Sequence, residues 1–280
     1  MALHFDFEKF RYVPSLAGAI VSIVIFSILA ALHLWQLFRN KTKIMIWVVV
    51  GAFCEVIGYA ARVESHYNKE SWAFFIVQGV FILVGPLFFA ATIYMMLART
   101  IRLADGEDVS VIKPQWCTRI FVTADVSTLI IQGLGASVMG TMQVALAIAG
   151  DKIVKAGLAV QVATFVFFLV VAVDFHRRMN KKIRADTGSP FSDDWRRILW
   201  YLYSMSALIL GRCVCRLIEY GMGNAAYPMA HEWYLYVFDT TPMVMVLILL
   251  LVLQPAKYVP QKIESSRGEI ESRLEQSEEN

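Results

Sequence analysis

Seven apolar runs, each of about 20 residues or more, dictate what this chain can become. They fall at about 13–37, 44–63, 73–97, 119–141, 154–174, 198–219 and 234–253. An α-helix crosses the roughly 30 Å hydrocarbon core of a bilayer in about 20 residues. A segment in lipid must satisfy its own backbone groups, so runs of this length and composition become membrane-spanning helices. The expected fold is all-α, a polytopic membrane protein built as a seven-transmembrane-helix bundle. Composition agrees: 58% of residues are hydrophobic and 18% charged, against about 45–50% and 25% in soluble domains. Residues 1–257 are expected to form the transmembrane domain. Residues 258–280, polar and Glu-rich with no apolar period, are expected to be a disordered tail. The first run is too long for a signal-peptide core and has no small-residue cleavage site, so it is expected to stay as the first helix.

Lysine and arginine in the connections orient the bundle. Eighteen of them fall in alternate segments: 39–43, 99–119, 177–197 and the tail from 257. Five, Lys9, Arg11, Lys69, Lys152 and Lys155, fall on the opposite side. The positive-inside rule then places the N-terminus outside and the C-terminus in the cytoplasm. Trp35, Trp47, Trp116, Trp195 and Trp200 are expected to anchor the inner interface, and Trp72 and Trp233 the outer one. Asn40-Lys41-Thr42 matches a glycosylation sequon but lies in an expected cytoplasmic loop, so it is expected to carry no glycan.

The remaining basic residues, Arg62, Arg212 and Arg216, lie within or at the ends of spans. A charge at membrane depth costs about 2.5–3.5 kcal/mol on insertion scales, so such residues are rare and are usually paired or functional. Arg212, Arg216 and Glu219 recur at spacings of four and three and share one helix face. Glu55, Tyr59 and Arg62 repeat that spacing with the sign order reversed. In this topology the second and sixth helices run in the same direction, which places Glu55 level with Arg212 and Arg62 level with Glu219. Asp239 enters the seventh helix near the depth of the arginines, which makes three charges of each sign. Gln78 and Gln161 fall in the same half of the membrane. His231-Glu232 precedes the seventh helix at its mouth. The set reads either as ion pairs locking helices together or as a polar cavity opening outward that receives a ligand head group. Asp239, on a different helix from the two matched runs, is the carboxylate expected to be spare.

Helix breakers sit inside spans. Gly85-Pro86 in the third and Pro242 in the seventh are expected to disturb their helices, and Gly133 and Gly135 to admit close helix contact. Asp125 is expected near the inner face, capping a helix or pairing with a loop arginine.

Several chemistries find no support. The histidines His4, His33, His66, His176 and His231 are scattered and form no zinc motif. Cys213-x-Cys215 places its thiols on different helix faces, and no cysteine pair is expected to form an extracellular disulfide. No ATP-binding glycine-lysine loop occurs, the seventh span has no lysine for a retinal Schiff base, and nothing favours nucleic acid. No metal and no cofactor are expected.

The chain resembles the fungal RTA-like proteins, also called lipid-translocating exporters. The similarity lies in Tyr12-x-Pro14-Ser15, Glu55-x-x-Gly58-Tyr59-x-x-Arg62, Pro86-x-x-x-Ala90-Ala91-x-x-Tyr94 and Phe121-Val122-x-x-Asp125. It continues in Gln132-x-x-Gly135, Phe175-His176-Arg177-Arg178, Arg212-x-x-x-Arg216-x-x-Glu219-Tyr220 and His231-Glu232-Trp233-x-x-Tyr236-x-Phe238-Asp239. In this order across seven spans the motifs are specific. The resemblance implies a fungal protein of the plasma membrane or an endomembrane. It implies a link to sphingoid long-chain bases, phospholipid asymmetry, sterol-toxin resistance or, in some members, porphyrin and haem traffic.

The function expected is therefore binding, and translocation or export, of amphiphilic lipids such as sphingoid long-chain bases, without catalysis. A seven-helix receptor or sensor and a porphyrin transporter are the alternatives. Glu55, Tyr59, Arg62, Gln78, Arg212, Arg216, Glu219, His231, Glu232 and Asp239 are the candidate binding residues. The partners expected are membrane lipids or other amphiphiles, with a cytoplasmic protein partner possible through loop 175–197 and the tail.

Overall fold

The computed structural model describes residues 15–40, 44–67, 72–104, 106–139, 144–185, 194–222 and 232–253. His231, the tail, and Lys41 and Thr42 of the sequon lie outside the described residues, as does the domain boundary expected at 257. The seven apolar runs become seven helices: α1 (Leu16–Asn40), α2 (Ile44–Tyr67), α3 (Trp72–Leu103), α4 (Pro114–Met139), α5 (Val144–Ala185), α6 (Asp194–Met222) and α7 (Trp233–Leu253). Each is long and apolar enough to cross a membrane, and no strand occurs among the described residues. The chain is an integral membrane protein.

Neighbours in sequence are neighbours in space from α1 through α7, and α7 returns to α1. The ring is filled by α3, which also packs on α6. Lipid-facing positions stay apolar, as Val21, Ile28, Leu134, Val160 and Val170 show by their exposure, while Phe89, Tyr94, Phe121, Phe168, Leu202 and Val246 are buried in the core. Small residues set the tightest approaches. A methyl group on Gly135 would come within 2.8 Å of Val154 on α5, so this glycine does admit the close contact expected of it. Gly133 meets nothing and does not.

The helix ends carry local signals. Pro114 opens α4, where its missing N–H has no intrahelical duty. Ser15 precedes α1, and its hydroxyl accepts the Gly18 N–H at 3.1 Å as an N-cap. At the other end of the bundle, Gln36 donates to the Leu251 carbonyl at 3.1 Å. The α-helical donor to that carbonyl would be the N–H of residue 255, which is a proline and has none.

Two expectations are corrected here. The segment 175–185, read as part of a basic loop, is the continuation of α5, which at 42 residues is about 63 Å long. Arg177, Arg178, Lys181, Lys182 and Arg184 therefore ride on a helix that outlasts the bilayer core, with Arg178 paired to Asp174 at 2.7 Å. Trp195 is not an interfacial anchor. It is buried, with the His176 ring edge-on at 5.7 Å, whereas Trp35, Trp116 and Trp200 are exposed on the lipid side.

Candidate functional site

The charged residues gather at the half of the bundle where α1 and α7 begin and α2 and α6 end, in two layers. The layer nearer the helix ends is built around Glu232, one residue before α7. Its carboxylate accepts the Arg62 guanidinium at 2.8 Å, the Ser15 N–H at 2.7 and 2.8 Å, and the Tyr236 hydroxyl at 3.1 Å. One side chain thus ties the start of α1, the end of α2 and the start of α7. Tyr236 lies against Gly18, where a Cβ would meet its ring at 2.6 Å. Below it, Tyr59 is buried, stacked on Phe26 at 5.6 Å, and shares a hydrogen bond with the Thr240 hydroxyl.

The deeper layer is set by two prolines. Pro242 has no N–H to continue an α-helical ladder upward. The chain instead takes a π turn over Tyr236–Thr240, in which the Thr241 N–H reaches back to the Tyr236 carbonyl. This extra residue per turn brings both Asp239 and Thr240 into the interior. Asp239 then receives Arg212, and Arg216 at 2.9 Å, with Arg216 also reaching Glu219 at 3.5 Å. In α3, Pro86 removes the N–H that would have bonded the Ile82 carbonyl. Arg212 donates to that carbonyl at 2.9 Å. One buried guanidinium therefore joins α6 to a broken turn of α3 and to the π turn of α7.

Glu55 does not pair with Arg212, nor Arg62 with Glu219, as the matched spacings had suggested. The reason is the placement of α3 against both α2 and α6. Glu55 packs on Gly85, where a Cβ would lie 2.6 Å from its Oε1. That oxygen is buried without a hydrogen-bond partner, and Glu55 forms no ion pair among the described residues. Asp239, expected to be spare, is held by both Arg212 and Arg216, and Glu55 is the spare acid. Gln78 is buried one turn before Ile82 with its Oε1 also unpartnered, while Gln161 accepts from Gln132 at 2.9 Å between α4 and α5. Asp125 is likewise not at a helix end. It is buried and accepts the Tyr94 hydroxyl at 2.7 Å, inside a ring of Phe121, Phe165 and Phe168.

A shallow cleft opens between α6 and α7, lined by Arg212, Cys215, Arg216, Glu219, Tyr234, Leu235, Phe238 and Asp239. Its apolar lining is Leu235 and Phe238, and Phe238 is exposed on the lipid side. Four charged groups at its base balance two against two. Arg216 and Glu219 keep 20% and 16% of their side chains accessible, against 3% for Arg212 and 6% for Asp239, so a ligand entering the cleft meets the first pair.

A family model described as RTA1 like protein matches residues 48–262, most of the chain and all of these layers except Ser15, just before α1, and Gly18 and Phe26 of α1. The chain belongs to the RTA1-like family. Among curated RTA1-like relatives in Saccharomyces cerevisiae, Protein RTA1 is 31% identical over 89% of this chain and 85% of its own length. Protoporphyrin uptake protein 1 is 29% identical over 86% and 90%. The sphingoid long-chain base transporter RSB1 is 26% identical over 87% and 72%. No solved structure matches the chain.

Ser15, Gly18, Ile82, Gly85, Tyr236 and Thr240 belong to the site but were not among the expected residues. Ile82 and Thr240 had a signal. A proline inside a span frees the carbonyl four residues earlier, and a polar residue beside Asp239 on a disturbed turn is drawn inward with it. Ser15 had one as an N-cap candidate ahead of an apolar run.

Proposed function

We propose that this protein binds an amphiphile with a cationic head group at the α6–α7 cleft and carries it between leaflets. A sphingoid long-chain base, the substrate named for one relative, is the class that fits best. The observation that carries this reading is the pairing of a small polar base with an apolar, lipid-facing rim. Glu219, held by Arg216 at only 3.5 Å, is the carboxylate placed to accept an ammonium group. Such a group leaving water for a low-dielectric site needs an ionised acceptor. The alkyl chain would leave past Leu235 and Phe238 into contact with bilayer lipid. Arg212, Asp239, Arg62 and Glu232 serve as the frame.

Cleft size bears on the alternatives. The cleft has room at its base for about one water-sized group, which suits a small head group whose chain stays in the membrane better than it suits a flat tetrapyrrole. In this reading the protein moves its ligand unchanged rather than acting as an enzyme. It sits in the plasma membrane with the N-terminus outside, and its basic α5 extension and the tail meet cytoplasmic partners.

Purified protein in vesicles with no other protein, supplied with labelled sphingosine, tests this. Protein-dependent movement between leaflets is expected. Binding without movement would favour a receptor or sensor, and movement of protoporphyrin but not of sphingosine would favour the porphyrin reading.

A further inference from the structure

The buried layers do not balance in charge. Arg62 is met by Glu232, and Arg212 and Arg216 are met by Asp239 and Glu219. Among the described residues, Glu55 is left over as a fourth acid against three bases. It is 1% exposed, and its Oε1 is sealed against Gly85 with no hydrogen-bond partner. A carboxylate in that position would add a fourth buried negative charge to three bases that already have acid partners, a state that burial disfavours. A neutral carboxylic acid closes the balance.

The groups facing Glu55 come from every side. Arg212 and Arg216 face it from α6 and Asp239 from α7. On its own helix Cys54 and Tyr59 are near. From α3 it meets Gly85, which cannot titrate. The buried histidine of α1, His33, is turned away to the Leu247 carbonyl at 3.1 Å. Arg212 is therefore the nearby cation with two competing acids: Asp239, which holds it here, and Glu55, which does not.

We infer that Glu55 is a membrane-embedded proton site, and that its ionisation draws Arg212 from Asp239 toward α2. With the proton on, Arg212 clamps α6 to the π turn of α7. When the proton passes to water, Glu55 becomes the stronger competitor for Arg212, and the tie between α6 and the π turn weakens from two arginines to Arg216 alone. Binding and loss of one proton thus switch a discrete ion pair between two partners, the kind of two-state element that can couple sites. The inference that this drives lipid movement rests on the transport reading above. The existence of the proton site does not.

Infrared difference spectroscopy on the reconstituted full-length protein tests the site itself. At neutral pH the wild type is expected to show the carbonyl stretch of a protonated buried carboxyl group, lost in Glu55→Gln and displaced in Glu55→Asp. Identical carboxyl bands in wild type and Glu55→Gln would overturn the proposal. In vesicles, labelled sphingosine movement is then compared with and without an imposed pH difference. The wild-type ratio is expected to reach at least tenfold and to fall to near one in Glu55→Gln. An unchanged ratio in a folded Glu55→Gln protein would overturn the coupling. Wild-type protein that moves no lipid would instead retire the transport reading, and the spectra would still decide the proton site.

Discussion

The Arg212 guanidinium donates to the Ile82 carbonyl at 2.9 Å, and that carbonyl is the one Pro86 leaves without a helical partner. The same guanidinium holds Asp239, so removing either member of the pair strands a group inside the membrane. Breaking a buried pair by deleting one partner costs about 3–5 kcal/mol. Arg212→Ala and Asp239→Ala are each expected to lower unfolding stability in detergent by an amount of that order. The double variant should be less harmed than the sum by roughly 0.5–3 kcal/mol. Glu55→Ala combined with Arg212→Ala should show a smaller interaction, because those two side chains are not paired. Equal couplings for both pairs would contradict the assignment.

Gly85 and Glu55 are complementary in size. A Cβ at position 85 would lie 2.6 Å from the Glu55 Oε1 and 3.0 Å from its Cδ. Gly85→Ala is expected to destabilise by about 1–3 kcal/mol, the range for overpacking a filled interior. Shortening the acid in Gly85→Ala/Glu55→Ala should recover part of that loss in a thermal unfolding assay. No recovery would mean that the two do not touch.

Glu232 bridges three helix ends at once, through Ser15, Arg62 and Tyr236. Glu232→Gln keeps its size but removes the charge that answers Arg62, which is 2% exposed. It is expected to cost several times more stability than Glu107→Gln, which neutralises an exposed acid 3.7 Å from Arg102, and to increase proteolysis between α6 and α7. Equal losses would show that Glu232 is not the tie.

The basic asymmetry of the connections predicts an external N-terminus. An epitope at the N-terminus should be reached by antibody on intact cells, and Asn40 should remain without glycan. Efficient glycosylation at Asn40 would reverse the orientation and put the α6–α7 cleft in the cytoplasmic half.

The seven helices were legible because each apolar run reaches bilayer length and charges thin out within it. That the remaining charges would gather in one half of the bundle was legible too. Arg62, Arg212, Arg216, Glu232 and Asp239 stand out because charge is costly at membrane depth. The partners within that set were not legible. Matching spacings on α2 and α6 suggested direct pairs, but spacing along two helices says nothing of a third packed between them. The π turn before Pro242 rotates Asp239 inward, and no periodic pattern announces it. Asp125 was misplaced for a related reason: its partner, Tyr94, lies on α3, and only tertiary packing brings the two together.

Photo-crosslinking tests the central claim most directly. A sphingosine analogue with a diazirine beside its amino group would be bound to the purified protein and activated, and the labelled peptides mapped by mass spectrometry. Labelling is predicted within 211–220 and 233–240, competed by unmodified sphingosine and weakened at least tenfold, about 1.4 kcal/mol, by Glu219→Gln. Competed labelling confined to other helices, with Glu219→Gln binding as wild type does, would contradict a head-group site between α6 and α7.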